Sequence, residues 1–280
     1  MSQQLTTEAE ESGPLILRGG SVYSAADPFA TAVLVDDGRI LWVGQEAGAD
    51  SLIDHRSRVE LLEGLLLTPG FTALVPDPPD EAERVRLLSA GYTAWLTEHD
   101  LQQGPTVVHG GDPLPEESHT VLVLADPEGE WVGTARLALS AGIRAGLLAR
   151  VDPQREGEDH NPWHLAVQGI SAGEKGLSVR GTFTLQTRGV HRVLGSLLQP
   201  MLGQNGVKAH PLAGQIVPEA PASMVGWRAE ALMVQTADTR IAAWSTDPRA
   251  RTPLLPELGG HTRPRAEWAV LGSDLHRWDR

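Results

Sequence analysis

The sequence predicts a mixed fold, α/β plus β, on three observations. Short strand-like runs punctuated by turn residues fill Pro14 to Phe71, helix and strand signals alternate from about Pro76 to Val151, and strand-like runs return from Ile216 onward. Alternating βα texture argues for parallel strands with crossover helices, while short runs separated by glycine, proline and aspartate argue for sheet at both ends.

The elements follow in order. Met1 to Gly13 is polar and acidic and reads as a disordered tail, the reverse of the basic-then-apolar order of a secretory signal. Leu15–Arg18, Ser21–Tyr23 and Ala32–Val35 are strands. Asp36-Asp37-Gly38-Arg39 before Ile40–Gly44 is a hairpin signal, because the tight turn needs positive φ where glycine carries no steric penalty. Val59–Leu67 is one further apolar run, stopped at Thr68-Pro69-Gly70. In the middle, Asp80 caps a helix that runs to Ala90 and ends at Gly91, and Tyr92–Leu96 follows as a strand. Thr106–Val108, Thr120–Leu124 and Ile143–Val151 are further strands, with a helix over Glu130–Ala141 before the last. Gln154–His160 reads as loop. Asn161 caps a helix with Pro162 in its first position, and Val179–Val193 is a second helix. Gly195–Gly214 is irregular, and the closing strands are Ser223–Trp227, Ala231–Gln235, Ile241–Ser245 and Glu267–Leu271.

Composition removes several function classes. Acidic residues outnumber basic ones, 36 to 23, for a formal net charge of −13, a field that repels phosphate backbones and anionic lipid, so neither nucleic acid nor membrane is an expected partner. No run reaches the roughly 18 apolar residues of a membrane span. There is no cysteine, hence no disulfide, thiolate ligand or thiol nucleophile, and the expected compartment is the cytosol. No Gly-x-Ser-x-Gly elbow or phosphate-binding glycine loop occurs, and Lys175 and Lys208 are the only lysines. Histidines 55, 99, 119, 160, 164, 191, 210, 261 and 276 are scattered and read as surface or capping residues, with Asp159-His160 and Trp163-His164 the densest patch. Trp42, Trp227, Trp244 and Trp268 fall in strands and read as core rings.

Three stretches in register carry a resemblance: Leu15-Ile16-Leu17-Arg18-Gly19-Gly20-Ser21-Val22, the Asp36-Asp37-Gly38-Arg39-Ile40 turn, and Pro69-Gly70-Phe71. Later come Asp159-His160-Asn161-Pro162-Trp163, Phe183-Thr184-Leu185-Gln186-Thr187-Arg188-Gly189, Ile216-Val217-Pro218-Glu219-Ala220-Pro221-Ala222 and Ala242-Ala243-Trp244-Ser245-Thr246-Asp247-Pro248-Arg249. Together they resemble the amidohydrolase superfamily, and in the second half its family 3 branch, whose His-Thr-Arg-Gly motif has Gln186 here in place of histidine. The resemblance implies a composite β-sandwich from residues 14–72 and 214–280 around a (β/α) layer over 73–213. At roughly 30 residues per βα unit, that layer holds about four or five units, whereas a closed eight-stranded barrel takes roughly 200 to 250 residues. The barrel is therefore expected to be incomplete, with strand edges that need covering by helices, loops or a second copy.

Enzymes of that superfamily use divalent metal to lower the pKa of bound water, with imidazole and carboxylate ligands. The resemblance places the first two imidazoles just after Pro-Gly-Phe, where this chain has Val75 and Asp77. Valine cannot ligate, and Pro76 and Pro78 flank Asp77. The aspartate that closes the last barrel strand corresponds most nearly to Asp152, a few residues late, and Val108-His109-Gly110-Gly111-Asp112 faintly resembles the Val-His-x-x-Gly-Asp of a middle barrel strand, where the histidine is a ligand. The sequence thus predicts an amidohydrolase-like chain without catalysis, acting by binding or assembly, with no cofactor and an unidentified small-molecule ligand. The alternative is a C–N bond hydrolase holding zinc, manganese or iron on Asp77, His109 and Asp152.

Overall fold

The computed structural model describes residues 5–8, 13–102, 104–154, 160–201, 210–234, 252–259 and 262–278. In chain order the first strands are β1 (Leu5–Glu8), β2 (Leu15–Arg18), β3 (Ser21–Val22), β4 (Ala32–Asp36), β5 (Arg39–Gly44) and β6 (Arg58–Leu61). Next come β7 (Leu66–Pro69), β8 (Phe71–Val75), β9 (Tyr92–Thr97), β10 (Thr106–His109), β11 (Thr120–Leu124) and β12 (Arg144–Leu148). The last are β13 (Gln199–Pro200), β14 (Ser223–Arg228), β15 (Leu232–Val234), β16 (Leu254–Pro256), β17 (Arg265–Leu271) and β18 (Asp274–Trp278). The helices are α1 (Glu46–Ala49), α2 (Glu81–Ser89), α3 (Glu98–Leu101), α4 (Trp131–Ser140), α5 (His164–Ser171), α6 (Val179–Thr184) and α7 (Val190–Leu194), with a π-helical turn over Leu185–Gly189 joining α6 to α7.

Both chain ends build one six-stranded sheet, ordered β1-β18-β17-β14-β7-β3, beside a four-stranded sheet, β5-β4-β2-β6. Leu15, Leu17, Val33, Val35 and Ile40 of the smaller sheet share one buried cluster with Leu67, Met224, Val270 and Leu275 of the larger. The β4–β5 hairpin turns as its Asp-Gly step requires, with Asp37 and Gly38 at φ of 45° and 71°.

Four points differ from the sequence reading. Residues 1–13 are not wholly tail, since Leu5–Glu8 pairs antiparallel with β18. The run Val59–Leu67 is two strands in two sheets, because Glu63 and Gly64 turn the chain at positive φ between β6 and β7. Both sheets are mixed, since β2 pairs with β6, and β3 with β7, in parallel. Asn161 Oδ1 accepts from the Trp163 amide as a capping side chain does, but α5 itself begins only at His164, two residues later than expected. The expected strand Ile241–Ser245 and Trp244 lie outside the described residues.

The middle of the chain forms parallel strands in two groups, β8-β9 and β10-β11-β12, with β13 added antiparallel to β9. The groups meet at one point, a parallel bridge between Leu74 and Arg150 where the Val151 amide donates to Leu74 O at 2.8 Å. Asp80 and Glu83 close a capping box on α2, the crossover from β8 to β9, and α4 crosses from β11 to β12. The helical side of the layer is lined by Val121, Val123, Ala145 and Leu147, clustered with Trp131, Val132, Ala135 and Ala138 of α4. Alternate residues take the other side: Leu74, Leu96, Leu122, Leu124 and Leu148 cluster with Val190 and Leu194 of α7 and with Leu198. A further cluster joins the layer to the six-stranded sheet through Phe71, Trp163, Phe183 and Trp227, with the Trp163 and Phe183 rings stacked at 5.3 Å. Trp227 is fully buried and its Nε1 donates to Thr68 Oγ1, as expected of a core ring, whereas Trp42 and Trp268 are only partly buried.

Candidate functional site

The C-terminal ends of parallel strands leave free main-chain groups and converging loops, the usual position of a site in α/β layers. Here a cleft of about 730 Å³ opens at those ends. Pro76 follows β8, Glu98 follows β9, Ala125 and Asp126 follow β11, and Ala149 to Asp152 follow β12; His160, the α5 residues His164 and Gln168, and Arg263 complete its polar lining.

Most of these polar groups are engaged by the chain itself. Arg150 Nε donates to Glu98 Oε1, tying the end of β12 to the end of β9. Asp126 accepts from the Glu130 and Trp131 amides at 2.9 Å each, so its carboxylate satisfies the exposed donors at the start of α4. Gln168 accepts from Trp131 Nε1 at 3.0 Å and donates to Pro127 O at 3.2 Å. His164 Nδ1 lies 2.8 Å from Asn161 O. Histidines 160 and 164, read from sequence as helix-start polarity, line the cleft; their place in the segment that leads from β12 into α5 was the available signal. Glu98, Arg150 and Arg263 carried none, because their convergence depends on pairing between distant segments.

The predicted metal-site residues do not converge. Asp152 lines the cleft, partly buried, and its Oδ1 accepts the Gln154 amide at 3.0 Å. Asp77 is exposed in the turn after β8 and is not part of the lining. His109 is exposed at the end of β10, its amide donating to Asp112 Oδ2 at 3.2 Å. The His109-Gly110-Gly111-Asp112 turn has a packing role, since a Cβ on Gly110 would fall 2.0 Å from Asp126 Oδ2 and 2.7 Å from the Trp131 amide. Among the described residues no group of three or more histidine, aspartate or glutamate side chains is placed to hold a metal ion. Val75 belongs to the buried cluster of Leu87, Leu88 and Trp163 on the α2 side, opposite to Leu74. Asp77, His109 and Asp152 are therefore not placed to share one divalent ion.

Gln186, at the motif position where the resemblance has histidine, is buried and donates through Nε2 to Pro162 O at 3.1 Å. Histidines 191 and 276, read from sequence as surface or capping residues, are buried, and desolvation lowers the pKa of both, His191 to about 4.

No protein-family profile and no curated protein matches the chain. Solved structures do. An enamidase described as a member of the amidohydrolase superfamily superposes with a TM-score of 0.58 at 11% identity, over 94% of this chain and 95% of that one. An amidohydrolase from Thermotoga maritima gives 0.52 at 11%, over 92% and 98%. A D-hydantoinase from Thermus sp. gives 0.52 at 8%, over 93% and 94%.

Proposed function

We propose that this chain, which has the fold of the amidohydrolase superfamily, is a non-catalytic relative of its family 3 branch that acts in the cytosol by binding or assembly. On this reading residues 14–72 with 214–280 are the composite β-sandwich and 73–213 a (β/α) layer that has lost part of its barrel. One observation carries it. The strand face that would look into a barrel is covered by Leu74, Leu96, Leu122, Leu124 and Leu148 packed on Val190, Leu194 and Leu198, all buried. A leucine-filled space supplies neither donors for an ion nor room for hydrated metal, and burying an ion there without ligands would cost far more than such packing returns. The cleft at the strand ends remains as the place for a small polar ligand, with Asp152, His160 and Arg150 at its wall.

Metal analysis of protein purified without added ions tests this. The expected result is zinc, manganese and iron each well below one per chain. A stoichiometric metal that disappears in His109→Ala or Asp152→Asn would instead establish the hydrolase reading and end this one.

A further inference from the structure

We propose that Arg188, Arg192 and Gln215 form a binding site for a small oxyanion, a phosphate or a carboxylate group, separate from the strand-end cleft. None of the three lines that cleft. Arg188 lies in the π-helical turn and Arg192 in α7, four residues on, so the two guanidinium groups leave the helix on neighbouring positions. Neither has an ion-pair or hydrogen-bond partner among the described residues. The Nε–H of Arg188 is shut off from solvent and finds no acceptor, and the side-chain Nε2 of Gln215 is in the same condition. Gly214 lets the two backbone segments approach closely. A Cβ there would fall 2.9 Å from the Arg188 amide nitrogen and 2.6 Å from His191 Cδ2, so the segment carrying Gln215 lies directly on the turn carrying Arg188.

This is an unusual arrangement for an acidic chain of net charge −13. Among the other partly buried arginines Arg18 pairs with Glu46, Arg228 with Glu267 and Arg277 with Glu60, while Arg84 shares with Arg188 a buried Nε without an acceptor. Arg188 instead faces the like charge of Arg192, and both its burial and that charge hold its pKa below the ordinary value. Desolvated N–H donors without acceptors cost stability that an oxyanion would restore, and the planar guanidinium fork matches two oxygens of one phosphate or carboxylate.

Isothermal titration of the whole chain with inorganic phosphate and, separately, with acetate, at ionic strength held constant with chloride, tests the site. Saturable one-to-one binding of at least one anion is expected, weakened tenfold or more in Arg192→Gln, whose exposed side chain leaves the core intact. In Gln215→Glu, which brings a carboxylate of the chain's own to the same place, binding should vanish. Phosphate without acetate assigns a phosphate ligand, and acetate without phosphate a carboxylate. Absence of saturable binding by the unsubstituted chain, or unchanged binding in either variant, would overturn the proposal.

Discussion

His191 sits inside α7 with its ring buried against the Gly214 segment, between Arg188 and Arg192, and desolvation lowers its pKa from 6.5 to about 4. Above pH 6.5 the ring is neutral whether the chain is folded or not, and it contributes nothing to pH dependence. Between 6.5 and 4 only the unfolded chain takes up the proton, so stability falls as the pH falls through that window. Below 4 both states are protonated and the loss levels off at about 3 kcal/mol. Buried His276 shifts in the same direction, countered by Asp274, so the informative quantity is a difference between proteins. Urea unfolding at pH 7 and pH 4.5 should show a smaller acid loss in His191→Leu than in the unsubstituted chain. Equal losses would mean that the ring is solvated.

At the scale of elements, the crossing of the π-helical turn over β12 decides where the interior lies. Gly189 and Gly146 make it possible: a Cβ on Gly189 would fall 2.6 Å from Ala145 O, and one on Gly146 3.0 Å from Val190 Cα. Helix propensity alone favours alanine over glycine by about 1 kcal/mol. The contact opposes it, because backbone on both sides cannot yield as a side-chain tip can, and overpacking of this kind costs about 1–3 kcal/mol. Gly189→Ala is therefore expected to lower the urea midpoint; a raised midpoint would place the helix away from β12. Such a crossing is invisible in sequence, where Val179–Val193 reads as one ordinary helix. The elements that were legible carry local signals, such as the Asp80 cap, the Asp37-Gly38 turn and the βα alternation around α2 and α4. Those that were not depend on distant partners. β1 becomes a strand only by pairing with β18, and the β6–β7 break hides in an apolar run because Glu63 and Gly64 are its only marks. The cleft was half legible for the same reason: Asp152 was named from its strand end, while the Glu98–Arg150 pair joins residues far apart in sequence.

For the molecule as a whole, strand edges and apolar side chains stand at the surface among the described residues. Among the described residues β10 has one strand neighbour, β11, and no charged residue or proline guards it apart from His109 at its end. The connection from β10 to β11 carries no helix, and Leu137 and Leu139 of α4 stand 61% and 45% exposed. On the four-stranded sheet the edge strand β6 exposes Leu61 at 59% and Val59 at 38%. Unpaired edges beside exposed apolar side chains favour contact with a second copy. The net charge of −13 opposes it at long range. Salt separates the two effects, since the Debye length shrinks from about 10 Å at 0.1 M to about 3 Å at 1 M while apolar contact persists. We therefore predict self-association that strengthens as salt is raised, with light scattering giving a mass above the 30.0 kDa of one chain. Val107→Lys, which charges β10 without entering the core deeply, should shift the equilibrium toward single chains. A clean single chain at high concentration and high salt would mean that the edges are already covered. Association that weakens with salt would point to ionic contacts and away from the open strands.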